Sequence, residues 1–134
     1  MRIYYKKGYK YQLHENTCVQ TEIFGHDIKT DFVSLDVNGL LSIYKGYAWD
    51  GPSGPTIDSP SGMRGALFHD VGYQLIRENL LPIGFRGYFD ELFYRILLED
   101  RMFKLRAWVW YKSVVGFAKS AAMPENDREI LEAP

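Results

Sequence analysis

The chain has 134 residues, enough for one domain with its own hydrophobic core, and 16% of them are aromatic. Its formal net charge of −1 at pH 7 argues against a general nucleic-acid-binding protein, because such proteins need a basic surface that displaces counterions from phosphates. The single cysteine, Cys18, excludes an internal disulfide bond and is interpreted as a structural thiol in a reducing compartment or an assembly inside a cell.

The beginning of the chain and its most apolar segment both argue against membrane insertion. Residues 1–7 contain no apolar stretch after their charged residues, so no signal peptide is expected. The most apolar long segment, 107–123, is interrupted by Lys112 and Lys119 and is too short and too polar to span a bilayer. The sequence therefore predicts a soluble protein, or one attached to a larger assembly.

Residues 1–45 are predicted to form a small antiparallel β-meander of three or four strands. Their apolar and polar residues alternate in short runs, as expected for strands with one buried face. These runs cover residues 9–13, 19–23, 32–35 and 41–44. The Asn38-Gly39 step provides the positive-φ residues of a tight hairpin, so the strands on either side should be antiparallel neighbours.

Residues 46–60 are predicted to be a loop, because Gly and Pro are too frequent there for a helix or a regular strand. Ser61 is a good N-cap for the helix that follows, and Pro60 prevents an earlier start. The predicted helices cover 61–79, 86–100 and 102–122, and an acidic tail follows at 123–134. Strands followed by helices indicate an α+β fold, and we expect one domain over residues 1–134.

Two of the predicted helices carry polar residues that could perform chemistry together. Because each residue of a helix advances by about 100°, His69, Asp70 and Tyr73 share one face of the first helix. Asp90 on the second helix has apolar neighbours at helical spacing, such as Phe93, and a buried carboxylate needs a partner. His69 or Tyr73 could be that partner. A histidine held in this way keeps its other ring nitrogen free to take a proton from water.

The Gly/Pro-rich loop could supply the second half of a site. Asp70 could bind a hard cation together with main-chain carbonyls at Tyr47, Trp49 and Gly51. Oxygen ligands of this mixed type suit calcium, which would polarise an ester carbonyl and stabilise the oxyanion formed on attack. The alternative is that the loop is a rigid corner between strands and helices, and that the polar face of the first helix is structural.

The chain resembles a family of proteins of unknown activity from tailed bacteriophages and prophages. The likeness is carried by the run GYAWDGPSGPT at 46–56, by Met63-Arg64 and by His69-Asp70 with Tyr73, and it covers about residues 11–116. This resemblance implies a phage protein that is located in the virion or in the host cytoplasm during infection.

A more distant resemblance connects the same residues to phospholipase A₂. The segment 51–54, the run 69–73 and Asp90 are similar to its calcium loop, catalytic helix and supporting helix, most closely in the disulfide-free form found in parvovirus capsid proteins. The likeness covers about residues 47–93. The chain differs from the secreted enzymes in lacking their disulfides and in carrying Asp50 and two prolines in the loop.

This second resemblance implies a role for each matched residue. Its catalytic residues would be His69, which activates water, with Tyr73 and Asp90 holding its ring. Its calcium ligands would be Asp70 and the backbone of Tyr47, Trp49 and Gly51. The implied activity is calcium-dependent hydrolysis of a phospholipid ester, with a phospholipid membrane surface as the partner.

Two further interpretations of the whole chain remain open. It could be a non-enzymatic virion component, such as a tail or connector protein, whose partners are other virion proteins and whose His-Asp helix is structural. It could also be a small inhibitor of a host defence enzyme, although no particular residue favours that interpretation.

The third predicted helix combines basic and aromatic residues, and no acidic residue occurs from Arg101 to Met123. Such a helix can lie on an anionic membrane surface. A more frequent arrangement is a core helix whose lysines extend outward to water. The sequence of this helix is consistent with both interpretations.

Overall fold

A computed structural model describes residues 5–8, 10–49 and 60–117 of the chain. The chain divides into two compact units, 1–50 and 51–134, and each is considered by itself. Antiparallel strands come first and three helices follow, so the predicted α+β fold class is confirmed. The predicted acidic tail at 123–134 lies outside the described residues, as does most of the predicted loop after Trp49.

The described strands of the first unit form two antiparallel sheets. The strands are β1 (Tyr5–Gly8), β2 (Lys10–Leu13), β3 (Thr17–Gln20), β4 (Ile28–Lys29), β5 (Val33–Leu35), β6 (Leu40–Ile43) and β7 (Ala48–Trp49). One sheet has the order β1-β2-β7 and the other β3-β6-β5-β4. The arrangement is therefore more than a simple meander, because β3 returns to pair with β6 and β7 returns to pair with β2.

Each of the four predicted strand runs overlaps a strand, but β1, β4 and β7 were not predicted. β4 and β7 have only two residues each, too few for an alternating pattern to be recognised, and the adjacent Lys6 and Lys7 interrupt alternation in β1. The prediction of a loop over 46–60 is wrong at Ala48 and Trp49. There the backbone pairs with β2, opposite Gln12 and Tyr11, so a pairing between distant segments outweighs the local effect of Gly and Pro.

The predicted hairpin between β5 and β6 is confirmed, with Leu35 opposite Leu41. Of the two turn residues, Gly39 alone has a positive φ, of 88°. The Asp36 carboxylate accepts hydrogen bonds from the backbone N–H groups of Asn38 and Leu40, each at 2.9 Å. This side chain closes the turn and fixes the register that buries Leu35, Leu41 and the other inward-facing residues of the sheet.

The second unit contains three helices and a short 3₁₀ turn. They are α1 (Pro60–Arg77), the turn at Ile83–Phe85, α2 (Arg86–Glu99) and α3 (Lys104–Phe117). Ser61 is not the N-cap that was predicted, because α1 already includes Pro60. Proline is tolerated at the first helical position, where its fixed φ suits a helix and its missing N–H is not needed.

A sharp break separates α2 from α3. Arg101 adopts a left-handed conformation with φ of 69°, and the N–H of Met102 bonds to the carbonyl of Leu97 at 3.0 Å. This geometry ends α2 and turns the chain, so that α3 packs against α2. None of the helices in the described part of the chain is long and apolar enough to cross a membrane.

Candidate active site

Helices α1 and α2 bring together the three predicted catalytic residues. His69 and Tyr73 lie one turn apart on α1, and both contact Asp90 on α2. The Nε2 atom of His69 lies 2.7 Å from Oδ1 of Asp90, and the Tyr73 hydroxyl donates to the same oxygen at 2.6 Å. Either residue was expected to be the partner of Asp90, and in the structure both are.

This cluster is almost completely enclosed. The exposed fraction is 6% for His69, 4% for Asp90 and 2% for Tyr73. Aromatic rings surround the imidazole, with the centroid of the Tyr73 ring at 4.3 Å and that of Phe93 at 5.3 Å. A carboxylate in such surroundings is stable only when it accepts hydrogen bonds, and the low local dielectric strengthens those bonds.

The contacts of Asp90 determine the tautomer of neutral His69. A carboxylate only accepts hydrogen bonds, so the ring proton must be on Nε2, which faces Asp90. Nδ1 then carries the free lone pair, and it makes no hydrogen bond to any residue in the described part of the chain. The imidazole is thus oriented as a general base, with Nδ1 able to accept a proton from a water molecule.

The hydroxyl of Tyr73 stays protonated well beyond the ordinary range. Burial raises its pKa most, and both the hydrogen bond to Asp90 and the negative charge of that carboxylate raise it further, while Arg86 opposes the shift slightly. Tyr73 is therefore a permanent donor to Asp90 at neutral pH, and its role in the cluster is to hold the carboxylate in place.

The raised pKa of Tyr73 predicts a specific loss of stability in alkali. The folded pKa lies above that of an unfolded tyrosine, about 10, so the stabilisation by Tyr73 is complete below pH 10 and is lost as the pH rises further. We expect Tyr73→Phe to lower the free energy of unfolding by about 1.5–3 kcal/mol at neutral pH. The difference should shrink above pH 10 in chemical denaturation followed by circular dichroism. A difference that stays constant with pH would contradict this role.

The short distance between α1 and α2 depends on glycines of α1. A Cβ atom added at Gly72 would overlap the ring of Phe89, and one added at Gly65 would lie 3.1 Å from Leu97 and 3.2 Å from Phe93. Gly72 lies between His69 and Tyr73 in sequence, so this close approach also sets the distance between those side chains and Asp90. This role was not predicted, although a glycine inside a helix is a signal of tight packing.

The structural role of Arg64 was also not predicted, because this residue was noted only as part of the resemblance to phage proteins. It is buried, yet its Nη2 donates to Glu99 at 2.7 Å and its Nε to both oxygens of Asp100 at 3.2 and 3.3 Å. Burial by itself would lower the pKa of Arg64, but the bonds to these two acids raise it overall. Arg64 therefore ties the beginning of α1 to the end of α2.

The predicted calcium ligands fall in different parts of the chain. Asp70 is partly buried on α1, Tyr47 and Trp49 are buried in the first unit, and Gly51 lies outside the described residues. Within 5–8, 10–49 and 60–117, no group of three or more His, Cys, Asp or Glu side chains is arranged to hold a metal ion. Calcium binding through Asp70 and loop carbonyls stays a prediction.

Comparisons of the chain with known protein families, with curated proteins and with solved structures each find no match. We therefore base the functional assignment on the chemistry of the three-residue cluster of His69, Tyr73 and Asp90.

Proposed function

We propose that the chain is a hydrolase in which His69 is the general base. The observation that supports this most directly is the buried hydrogen bond between Nε2 of His69 and Oδ1 of Asp90, at 2.7 Å. It orients the ring and places Nδ1 opposite the supporting acid. Asp90 and Tyr73 are positioning residues, since they act on substrate only through the imidazole.

The proposed reaction is hydrolysis of a carboxylic ester. A water oxygen attacks the carbonyl carbon while Nδ1 of His69 takes one of the water protons, and the carbonyl becomes an oxyanion. The negative charge of Asp90 stabilises the resulting imidazolium. When the tetrahedral intermediate collapses, the bond to the leaving oxygen breaks and the imidazolium donates its proton to that oxygen. The products are an acid and an alcohol, and His69 returns to its neutral form.

The proposed substrate is a phospholipid, an assignment that rests on the resemblance of 51–54, 69–73 and Asp90 to phospholipase A₂. A calcium ion bound at Asp70, as this resemblance implies, would stabilise the oxyanion. The steps assigned to His69, Asp90 and Tyr73 do not depend on that ion.

A non-enzymatic virion protein of a tailed phage is the second candidate. The observation that favours it is the near-complete burial of His69, Asp90 and Tyr73. Such a cluster can stabilise a helix pair without any substrate. In that case, replacing His69 would change stability or assembly and would have no effect on a chemical reaction.

Hydrolysis of phospholipid vesicles distinguishes the two candidates. We expect the chain to release fatty acid from phospholipid vesicles when calcium is present in the buffer. His69→Gln should lower kcat/KM by roughly 10²–10⁴-fold, the usual contribution of a general base. Circular dichroism checks that the variant is folded. His14→Gln is the matched control, since His14 is an exposed histidine of the first unit, and it should keep full activity.

Two outcomes would contradict parts of this proposal separately. If folded wild-type protein releases no fatty acid, or if His69→Gln is as active as wild type, His69 is not the base and the virion role is favoured. If activity persists in excess chelator and in Asp70→Asn, calcium is not required, whereas the role of His69 stands.

A further inference from the structure

Helix α3 is apolar on two opposite sides, but within the described residues only one of them packs against another helix. Ala107, Trp110 and Val114 are buried together with Phe93 and Leu97 of α2. This side forms the core between the two helices. The interpretation of α3 as an ordinary core helix is therefore correct for one side alone.

The opposite side leaves large apolar side chains in water. We define the outer face of α3 by the exposed apolar residues of the helix: Leu105, Trp108, Val109 and Val115. Leu105 is 75% exposed and Val109 53%. Leu105, Trp108 and Val109 are three and four positions apart, so they are neighbours on the helix surface. A contiguous apolar patch of this kind marks an interaction surface, unlike apolar residues that are exposed singly.

The charged residues of α3 and of the turn before it all have one sign. Arg101, Lys104, Arg106 and Lys112 are exposed or half-exposed, and the described sequence after Asp100 contains no acidic residue. The ammonium of Lys112 lies 5.0 Å from the centre of the Trp108 ring, which places a cation directly on the apolar surface. The occupant of this face must therefore accept apolar side chains and carry negative charge.

An aromatic cluster at the outer face indicates which kind of partner binds there. The ring of Trp108 lies 5.9 Å from that of Tyr111 and 6.4 Å from that of Tyr94, so the three form one cluster. Tryptophan and tyrosine combine an apolar ring with a polar group and are enriched where a protein meets the headgroup region of a bilayer. A second copy of the chain fits less well, because a symmetric contact would bring like charges together.

We infer that the outer face of α3 binds the surface of an anionic phospholipid bilayer. Leu105, Trp108 and Val109 enter the boundary between headgroups and acyl chains, and the surrounding lysines and arginines contact lipid phosphates. The helix lies on the bilayer and does not cross it. This interaction does not depend on the proposed hydrolysis, although it would bring a lipid hydrolase to its substrate.

Vesicle sedimentation of the full chain tests this inference. We expect binding to vesicles of phosphatidylcholine mixed with phosphatidylglycerol, weaker binding to phosphatidylcholine alone, and a decrease with added salt. Lys104→Gln and Arg106→Gln should each weaken binding about fivefold. Leu105→Ser combined with Val109→Ser should weaken it by more than about tenfold. The matched control is Phe24→Ser with Val37→Ser, which changes residues of similar exposure in the first unit and should have no effect.

Tryptophan fluorescence supplies an independent signal. Trp108 is 47% exposed, whereas the other two tryptophans, Trp49 and Trp110, are buried at 5% and 6%. A blue shift on addition of anionic vesicles therefore reports Trp108 entering the lipid. We expect Trp108→Phe to lose the shift while the variant still sediments with the vesicles.

Three results would overturn the inference: no binding to anionic vesicles, equal binding to both lipid compositions, or a stable dimer that the Leu105 and Val109 changes dissociate. The last result would assign the outer face to a second copy. The His69→Gln variant separates this inference from the proposed catalysis, because it should bind vesicles like wild type. Binding without hydrolysis contradicts the catalytic proposal alone, and hydrolysis without binding contradicts this inference alone.

Discussion

Replacing Asp90 with asparagine should lower kcat for ester hydrolysis by roughly 10⁴-fold, the size of effect found when the orienting acid of a histidine base is lost. Asparagine has nearly the same shape as aspartate, but its amide N–H₂ can donate to Nε2 of His69. The ring then favours a proton on Nδ1, and that atom can no longer accept one from water. The measurement is the kinetics of fatty-acid release from vesicles, with the unfolding free energy determined in parallel.

The stability of the Asp90→Asn protein separates a catalytic role from a structural one. We expect a loss of only about 1–3 kcal/mol, because the amide N–H₂ that takes the place of Oδ1 can also donate to the Tyr73 hydroxyl oxygen. Tyr73→Phe is the comparison variant, since it keeps the Asp90 carboxylate and should retain most of the activity. If activity falls only in proportion to the unfolded fraction in both variants, the cluster is structural and the general-base mechanism is wrong.

Adding one methyl group at Gly72 should destabilise the chain about as much as removing the Tyr73 hydroxyl. The Cβ of alanine would overlap the ring of Phe89, which is fully buried and cannot move into solvent. Overpacking of this kind costs about 1–3 kcal/mol. We expect Tm to fall by roughly 4–12 °C in thermal denaturation. Since α1 and α2 must separate to relieve the overlap, Gly72→Ala should also lengthen the contact between His69 and Asp90 and reduce hydrolysis.

Gly87 provides the control for this substitution. It lies in α2, and an added Cβ would meet nothing within 4 Å. Gly87→Ala should therefore be neutral or stabilise the chain by up to about 1 kcal/mol through the higher helix propensity of alanine. Phe89→Leu should partly restore a Gly72→Ala protein by making room for the methyl group. Equal stabilities of the Gly72 and Gly87 variants would show that the helices are not packed as closely as described.

The helices and the Asp90 cluster were predictable because each has a strong local signal. Helical periodicity extends over many residues, and an acid with apolar neighbours at helical spacing requires a donor from elsewhere in the fold. The two-residue strands β4 and β7 have no such signal, because two residues are too few to show alternation, and β7 pairs with β2, which is far away in the sequence. Periodicity assigns residues to a helix face but does not give the distance between helices, which is why the roles of Gly72 and Arg64 were not predicted.

The exposed side of α3 was foreseen only as one of two alternatives. Its sequence places apolar residues on two opposite sides, and a pattern of this kind does not indicate how many neighbours a helix has. Among the described residues, α2 packs against one of these sides, and Leu105 and Val109 on the other side are exposed. The unusual feature of α3 is therefore the combination of two apolar sides with charged residues that are all basic.

The glycines of α1 define a signature by which distant relatives of this site could be recognised. Gly65 and Gly72 are seven positions apart, so they lie on one stripe of the helix, with His69 between them. The corresponding pattern is Gly-x-x-x-His-x-x-Gly-Tyr, followed by an aspartate in the next helix. A protein that has histidine and aspartate adjacent in its helix but bulky residues in place of both glycines would hold its helices too far apart to share this arrangement.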